Sequence, residues 1–128
     1  MVRAKTRADS TAFSRMRSGL ERDFGVMLEH KLRAGAIAAW AYEPMSLRLA
    51  PGARYTPDFL VVNNDGTLTL FETKGFWREA GRVRIKVAAD RFPWFEFIGV
   101  QKAHGSWQYE HFSHMQESEA HDSEADPQ

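Results

Sequence analysis

The chain has 128 residues and an ordinary apolar content, enough for one domain with a real core. It contains no cysteine, which excludes disulfides, cysteine nucleophiles, zinc–thiolate sites and iron–sulfur clusters. Its net charge of zero conceals an asymmetry: residues 117–128 hold five acids and no lysine or arginine, leaving 17 basic and 12 acidic residues elsewhere, a net of +5.

Residues 1–14 are polar and basic, with Arg3, Lys5 and Arg7, and lack periodicity apart from Phe13. They read as a flexible arm, 1–14. A helix is expected from Ser14 to Ala34, because Leu20, Phe24, Met27, Leu28 and Leu32 fall on one stripe. Gly35 stops it, and Gly25 inside it marks close packing. Arg15, Arg17 and Arg22 make its start basic. Glu21 lies beside the stripe, where it either reaches a site on an underlying sheet or is an exposed helical acid. Glu29 is a weaker acidic candidate.

Ile37 to Tyr42 reads as a strand. Trp40 and Tyr42 share a face and are expected to pack rather than to stack on bases. Glu43-Pro44 bends the chain, and Glu43 either projects toward a site or is an edge-strand acid. Met45 to Leu49 alternates again, and Ala50 to Ala53 is a turn.

Tyr55 to Gly75, YTPDFLVVNNDGTLTLFETKG, reads as two strands around a turn at Asp65-Gly66. Residues two apart in a strand share a face, so Glu72 and Lys74 stand side by side, with Thr73 opposite. Closure around Asn64-Asp65 brings Asp58 to Glu72. Two carboxylates and an ammonium then converge at one end of a small sheet. Magnesium is held by one or two carboxylates with water and phosphate oxygens. Such an ion activates water and stabilises charge on a phosphoryl oxygen. A lysine beside it orients the attacking water or stabilises the transition state. The alternative is a solvated Glu–Lys pair at a strand end.

Gly75 lets the backbone leave the site without a side-chain clash. Phe76, Trp77 and Arg78 form a loop beside it that either contacts substrate or, for Trp77, is structural. A helix from Arg82 to Phe92 carries Arg82, Arg84 and Lys86, which hold backbone phosphates or form a solvated face. Pro93 ends that helix. Phe95 to Val100 is expected to pair parallel with Leu68 to Phe71 through a crossover. After a turn at His104-Gly105-Ser106, Trp107 to Phe112 is a final strand or cap. His111 and His114 either bind metal as a pair or belong to a solvated tail, and no histidine pair has a convincing zinc spacing. Residues 116–128 read as a disordered acidic tail that competes with nucleic acid for the basic surface. No apolar run spans a membrane and no secretory signal is present, so a cytoplasmic location is expected.

Pro57-Asp58 followed by Glu72-Thr73-Lys74 resembles the PD-(D/E)xK nuclease superfamily. YTPDF, NNDG and FETKG are similar to the forms in small phage endonucleases and junction resolvases, and to the N-terminal nuclease domain of a transposition endonuclease. The resemblance spans about Ser18 to Val100. It implies an α/β restriction-endonuclease-like fold over residues 15–115, a central mixed sheet flanked by helices. It also implies a site of Asp58, Glu72 and Lys74, with Glu21 added from the first helix. Mg2+ or Mn2+ is then bound by Asp58, Glu72 and Glu21, and DNA is contacted by Arg15, Arg17, Arg22, Arg78, Arg82, Arg84 and Lys86. The implied activity is cleavage of branched or duplex DNA, in an infected host cell where the chain is phage-encoded. Junction resolution favours a homodimer, and a transposition or recombination role implies a protein partner. The rival readings are a transposition-type nuclease subunit and an inactive DNA-binding module.

Overall fold

The computed structural model describes residues 10–112. Helices α1 (Ser10–Arg15) and α2 (Gly19–Arg33) come first, then strands β1 (Ala39–Tyr42), β2 (Leu47–Ala50), β3 (Ala53–Tyr55), β4 (Phe59–Val62) and β5 (Leu68–Thr73). Helix α3 (Glu79–Arg91) leads to β6 (Glu96–Ala103) and β7 (Ser106–His111). The fold is α/β: a five-stranded mixed sheet of order β1-β4-β5-β6-β7, flanked by helices, with a separate two-stranded sheet of β2 and β3.

Strand alternation sorts the core. Phe59, Val61, Phe71, Ile98 and Val100 face α1 and α2, where they meet Met16, Phe24 and Leu28 together with Trp40 and Tyr42. Leu60, Leu70 and Phe97 face the other way, onto Ile85, Ala88 and Ala89 of α3 and Leu47, Leu49 and Tyr55 of the small sheet. Both faces of β4 and β5 are thus covered, as a sheet between two layers requires. The hairpin pairs Phe59 with Phe71 and Val62 with Leu68, and β5 pairs parallel with β6, both as expected. β6 returns antiparallel into β7 through His104 and Gly105, both at positive φ, the geometry of a tight primed turn.

Four expectations need correction. Residues 10–14, read as part of a flexible arm, belong to α1, with Ala12 in the core; residues 1–9 and the acidic tail lie outside the described residues. The single helix from Ser14 is two helices. Ser18 caps α2, its hydroxyl accepting the Glu21 N–H at 3.1 Å, and Glu21 reaches back to the Arg17 N–H at 2.7 Å. That is a shifted capping box, a strong stop for any helix arriving from upstream. The break lets α1 fold onto α2, where a Cβ on Gly25 would sit 2.9 Å from Met16 Cε. Tyr55 leaves the central hairpin and pairs with Leu47, because Pro51-Gly52 turns β2 back on β3. Finally, His111 lies in β7 with Nδ1 3.0 Å from Glu96 Oε2, not in a tail; His114 lies outside the described residues. Among the described residues no helix is long and apolar enough to cross a membrane.

Candidate active site

Asp58 precedes β4 and Glu72 is the penultimate residue of β5. The Phe59–Phe71 register sets them across from one another. Asp58 is 6% exposed, Glu72 8% and Glu21 8%; they are the buried charged side chains among the described residues. Burying a carboxylate is costly unless it is hydrogen-bonded or paired.

Asp58 and Glu21 each have one oxygen tied down, and Glu72 has both engaged. Asp58 Oδ2 accepts both the backbone N–H and the hydroxyl of Thr73, at 2.9 Å each. Glu72 Oε1 accepts the Tyr55 hydroxyl at 3.0 Å, and Lys74 Nζ stands 3.3 Å from Oε2. Glu21 Oε1 accepts the Arg17 N–H and, at 3.0 Å, the Tyr42 hydroxyl. No fully buried side-chain N or O atom among the described residues lacks a partner. The remaining oxygens of Asp58 and Glu21 accept nothing from the described chain, so they are not sealed inside it.

The electrostatics agree with a poised pair. Burial pushes the Asp58 carboxyl well above the usual range, against the Thr73 hydrogen bonds, and the charge of Glu21 adds to the rise. Burial raises Glu72 too, as does the charge of Asp58, while Lys74 and the Tyr55 hydroxyl oppose it. Tyr55 and Tyr42 are both raised, chiefly by burial, so each stays a hydroxyl donor to its carboxylate.

Asp58 and Glu72 are hard oxygen donors oriented by neighbouring hydrogen bonds, which suits Mg2+ or Mn2+. No group of three His, Asp or Glu side chains converges as a metal cage among the described residues. Two protein carboxylates, with water and phosphate oxygens completing the shell, is the arrangement the donor set fits. Glu21 bears on the pair through its charge at Asp58.

Glu72 and Lys74 line a cleft of about 370 Å3 whose other walls include Tyr55, Phe76, Arg78 and Arg84. The predicted basic helix does not present one face. Arg84 lines this cleft, while Arg82 points away to Glu110, one guanidinium N–H reaching it at 2.6 Å, and lies 5.4 Å over the Phe112 ring. Lys86 is exposed four residues from Arg82. Arg17 pairs with Glu43, Arg22 donates to the Met16 carbonyl at 3.2 Å, and Arg15 lies over the Tyr42 ring. Arg78 sits over Phe76 at 5.8 Å.

Glu29 accepts the Trp40 indole N–H at 2.9 Å and pairs with Arg33, a structural role. Glu43 stands at the site's edge. Its backbone is left-handed at φ 47, and its N–H donates to the Asp58 carbonyl at 2.7 Å. Trp77 packs where a Cβ on Gly99 would lie 2.7 Å from its ring, and it also lines the cleft. Gly75 was expected to avoid a clash, yet a Cβ there would meet nothing within 4 Å; the space before it is open.

Sequence reasoning missed Thr73, Tyr55 and Tyr42 as the groups that hold the carboxylates. Ser18-Gly19-Leu20-Glu21 was the available signal for the fixed position of Glu21. Comparison of the chain with family models, with curated proteins and with solved structures finds no match.

Proposed function

We propose that this chain is a metal-dependent endodeoxyribonuclease with a restriction-endonuclease-like fold, acting on branched or duplex DNA. One observation carries the reading. Of the buried charged side chains of the described residues, Asp58 and Glu72 match the acids of the PD-(D/E)xK signature and Glu21 is the acid the resemblance adds from the first helix, while Lys74 stands against Glu72. Capping accounts for the position of Glu21, whereas surface pairs are available and cheaper than burying Asp58 and Glu72 beside one another.

In this reading Asp58 and Glu72 hold a divalent cation that supplies Lewis acidity at the scissile phosphate. Thr73 and Tyr55 fix one oxygen of each carboxylate, so that the ligands are aimed before substrate arrives. Lys74 orients the attacking water and stabilises charge on the phosphoryl oxygens. Glu21 tunes Asp58 from α2. Arg78 and Arg84 receive the DNA backbone along the cleft wall, a contact that positions without reading sequence.

The test is cleavage of labelled duplex, flap, single-stranded and four-way DNA with Mg2+, Mn2+ or chelator. Lys74→Ala is expected to lower the metal-dependent rate by about 10²–10³-fold. Unchanged cleavage in Lys74→Ala or Asp58→Ala, or none by the wild type on any substrate, contradicts the reading. Binding without turnover in either metal favours the inactive DNA-binding module.

A further inference from the structure

Two large aromatic side chains stand out in solvent, Phe76 at 69% exposure and Trp94 at 68%. Their surroundings differ. Trp94 packs edge-on against Phe92 at 5.8 Å and tilts against Phe95 at 6.3 Å, far along the chain from the candidate site. Among the described residues Phe76 makes no ring–ring contact. Its partner is the Arg78 guanidinium, 5.8 Å from the ring centre. Its neighbour Trp77, which also lines the cleft, is partly buried over Gly99 and packs against Phe112 at 6.1 Å, while Phe76 is left exposed.

The position is what gives Phe76 a use. It follows Lys74 by two residues and lines the same cleft as Glu72, Lys74, Arg78 and Arg84. Neither Arg78 nor Arg84 has an acidic partner among the described residues, whereas Arg17, Arg33 and Arg82 each do. The cleft therefore offers unneutralised guanidinium groups, an exposed aromatic face and a carboxylate–lysine pair together. Backbone charge with an aromatic platform is the chemistry that binds unstacked nucleotides. The cleft's volume of about 370 Å3 is on the scale of a single nucleotide. Open space before Gly75 leaves the approach clear.

We infer that Phe76, with Arg78 across its ring, is a stacking platform for one unpaired base next to the cleaved phosphate. The inference rests on the nuclease reading for its substrate and extends it. The preferred DNA carries an unpaired or extruded nucleotide at the cut, as a flap or branch point does, in place of an uninterrupted duplex. A continuous duplex must unstack a base to place it on the platform.

The experiment uses the full chain with Ca2+ in place of Mg2+, and DNA carrying 2-aminopurine in a short flap or within a paired duplex. Stacking on Phe76 quenches the flap probe. Phe76→Ala is expected to abolish the quench and weaken flap binding about tenfold or more, while Phe76→Trp restores both. Because the side chain is exposed, the variant's unfolding midpoint should match the wild type, which separates lost stacking from lost folding. Wild-type quenching and affinity in Phe76→Ala overturn the platform. Parallel cleavage in Mn2+ distinguishes the two claims. A wild type that cuts DNA with no dependence on Phe76 in binding or in flap preference keeps the nuclease and removes the platform. A Phe76-dependent quench without any cleavage keeps the platform and removes the nuclease.

Discussion

The hairpin of β4 and β5 carries an aspartate at each end, and each is held by a threonine in the same way. Asp65 Oδ1 accepts the N–H and the hydroxyl of Thr67, at 2.9 and 2.7 Å. Asp58 Oδ2 accepts the N–H and the hydroxyl of Thr73. The outcomes are opposite: hydrogen bonds lower the Asp65 carboxyl below its usual range, while burial raises Asp58 despite an equal set of donors. A threonine cradle is therefore compatible with a turn and with a reactive group alike. What separates them is removal from water and the company of Glu72 and Glu21. Turn chemistry explains Asp65 in full; Asp58 keeps an oxygen that accepts nothing from the described chain, and burial together with the charge of Glu21 raises its proton affinity.

The comparison breaks most sharply on activity. Asp58→Asn is expected to lower metal-dependent DNA cleavage by about 10²–10³-fold, and Asp65→Asn to leave initial rates at the wild-type level. Equal losses in both variants would mean that the hairpin acts only as a fold element. Next come the cradles themselves. Thr73→Val removes one donor from Asp58 and should weaken Mn2+ binding by about 10–100-fold, whereas Thr67→Val should leave it unchanged; calorimetric titration reads both.

A smaller effect concerns stability without metal. At pH 7.5 Asp58→Asn should raise stability in urea by about 1–2 kcal/mol, because a buried charge is exchanged for a neutral acceptor. Asp65→Asn should lower it slightly, through a weaker bond to Thr67. The pH dependence has a definite sign. Asp58 and Glu72 bind protons more tightly folded than unfolded, so their contribution is complete below the ordinary carboxylate range, about pH 4. It is lost as pH rises through their raised folded values. Asp65 contributes in the opposite sense, above its unfolded value, and is lost as pH falls. Metal-free unfolding of the Asp58→Asn/Glu72→Gln double variant should show a flatter slope above pH 4 than the wild type. An unchanged slope counts against a buried pair.

Much of this geometry could be read from local sequence. Period-two alternation and the Asp65-Gly66 turn set the register that brings Asp58 to Glu72, and every step of that argument is local. The β5–α3–β6 order likewise implied the parallel pair. The supporting residues depend on contacts distant in sequence. Tyr55 reaches Glu72 because β2 and β3 form their own sheet over α3, and Tyr42 reaches Glu21 only through the packing of α2 on β1. Thr73 is buried, and its hydroxyl turns to Asp58 across the strand end. Arg82, Arg84 and Lys86, expected together to hold phosphates or to be solvated, do not all share one face. Neighbours two apart on a helix point to nearly opposite sides, and Glu110 claims Arg82.

The most direct measurement is a Mn2+ titration of the wild type, Asp65→Asn and Asp58→Asn/Glu72→Gln near neutral pH, followed by calorimetry in two buffers of different ionisation heat. Wild type and Asp65→Asn should bind Mn2+ with release of protons from the raised carboxyls, and the double variant should not bind. Equal Mn2+ binding by all three proteins, or none by the wild type, would contradict the claim that this buried pair is a metal site.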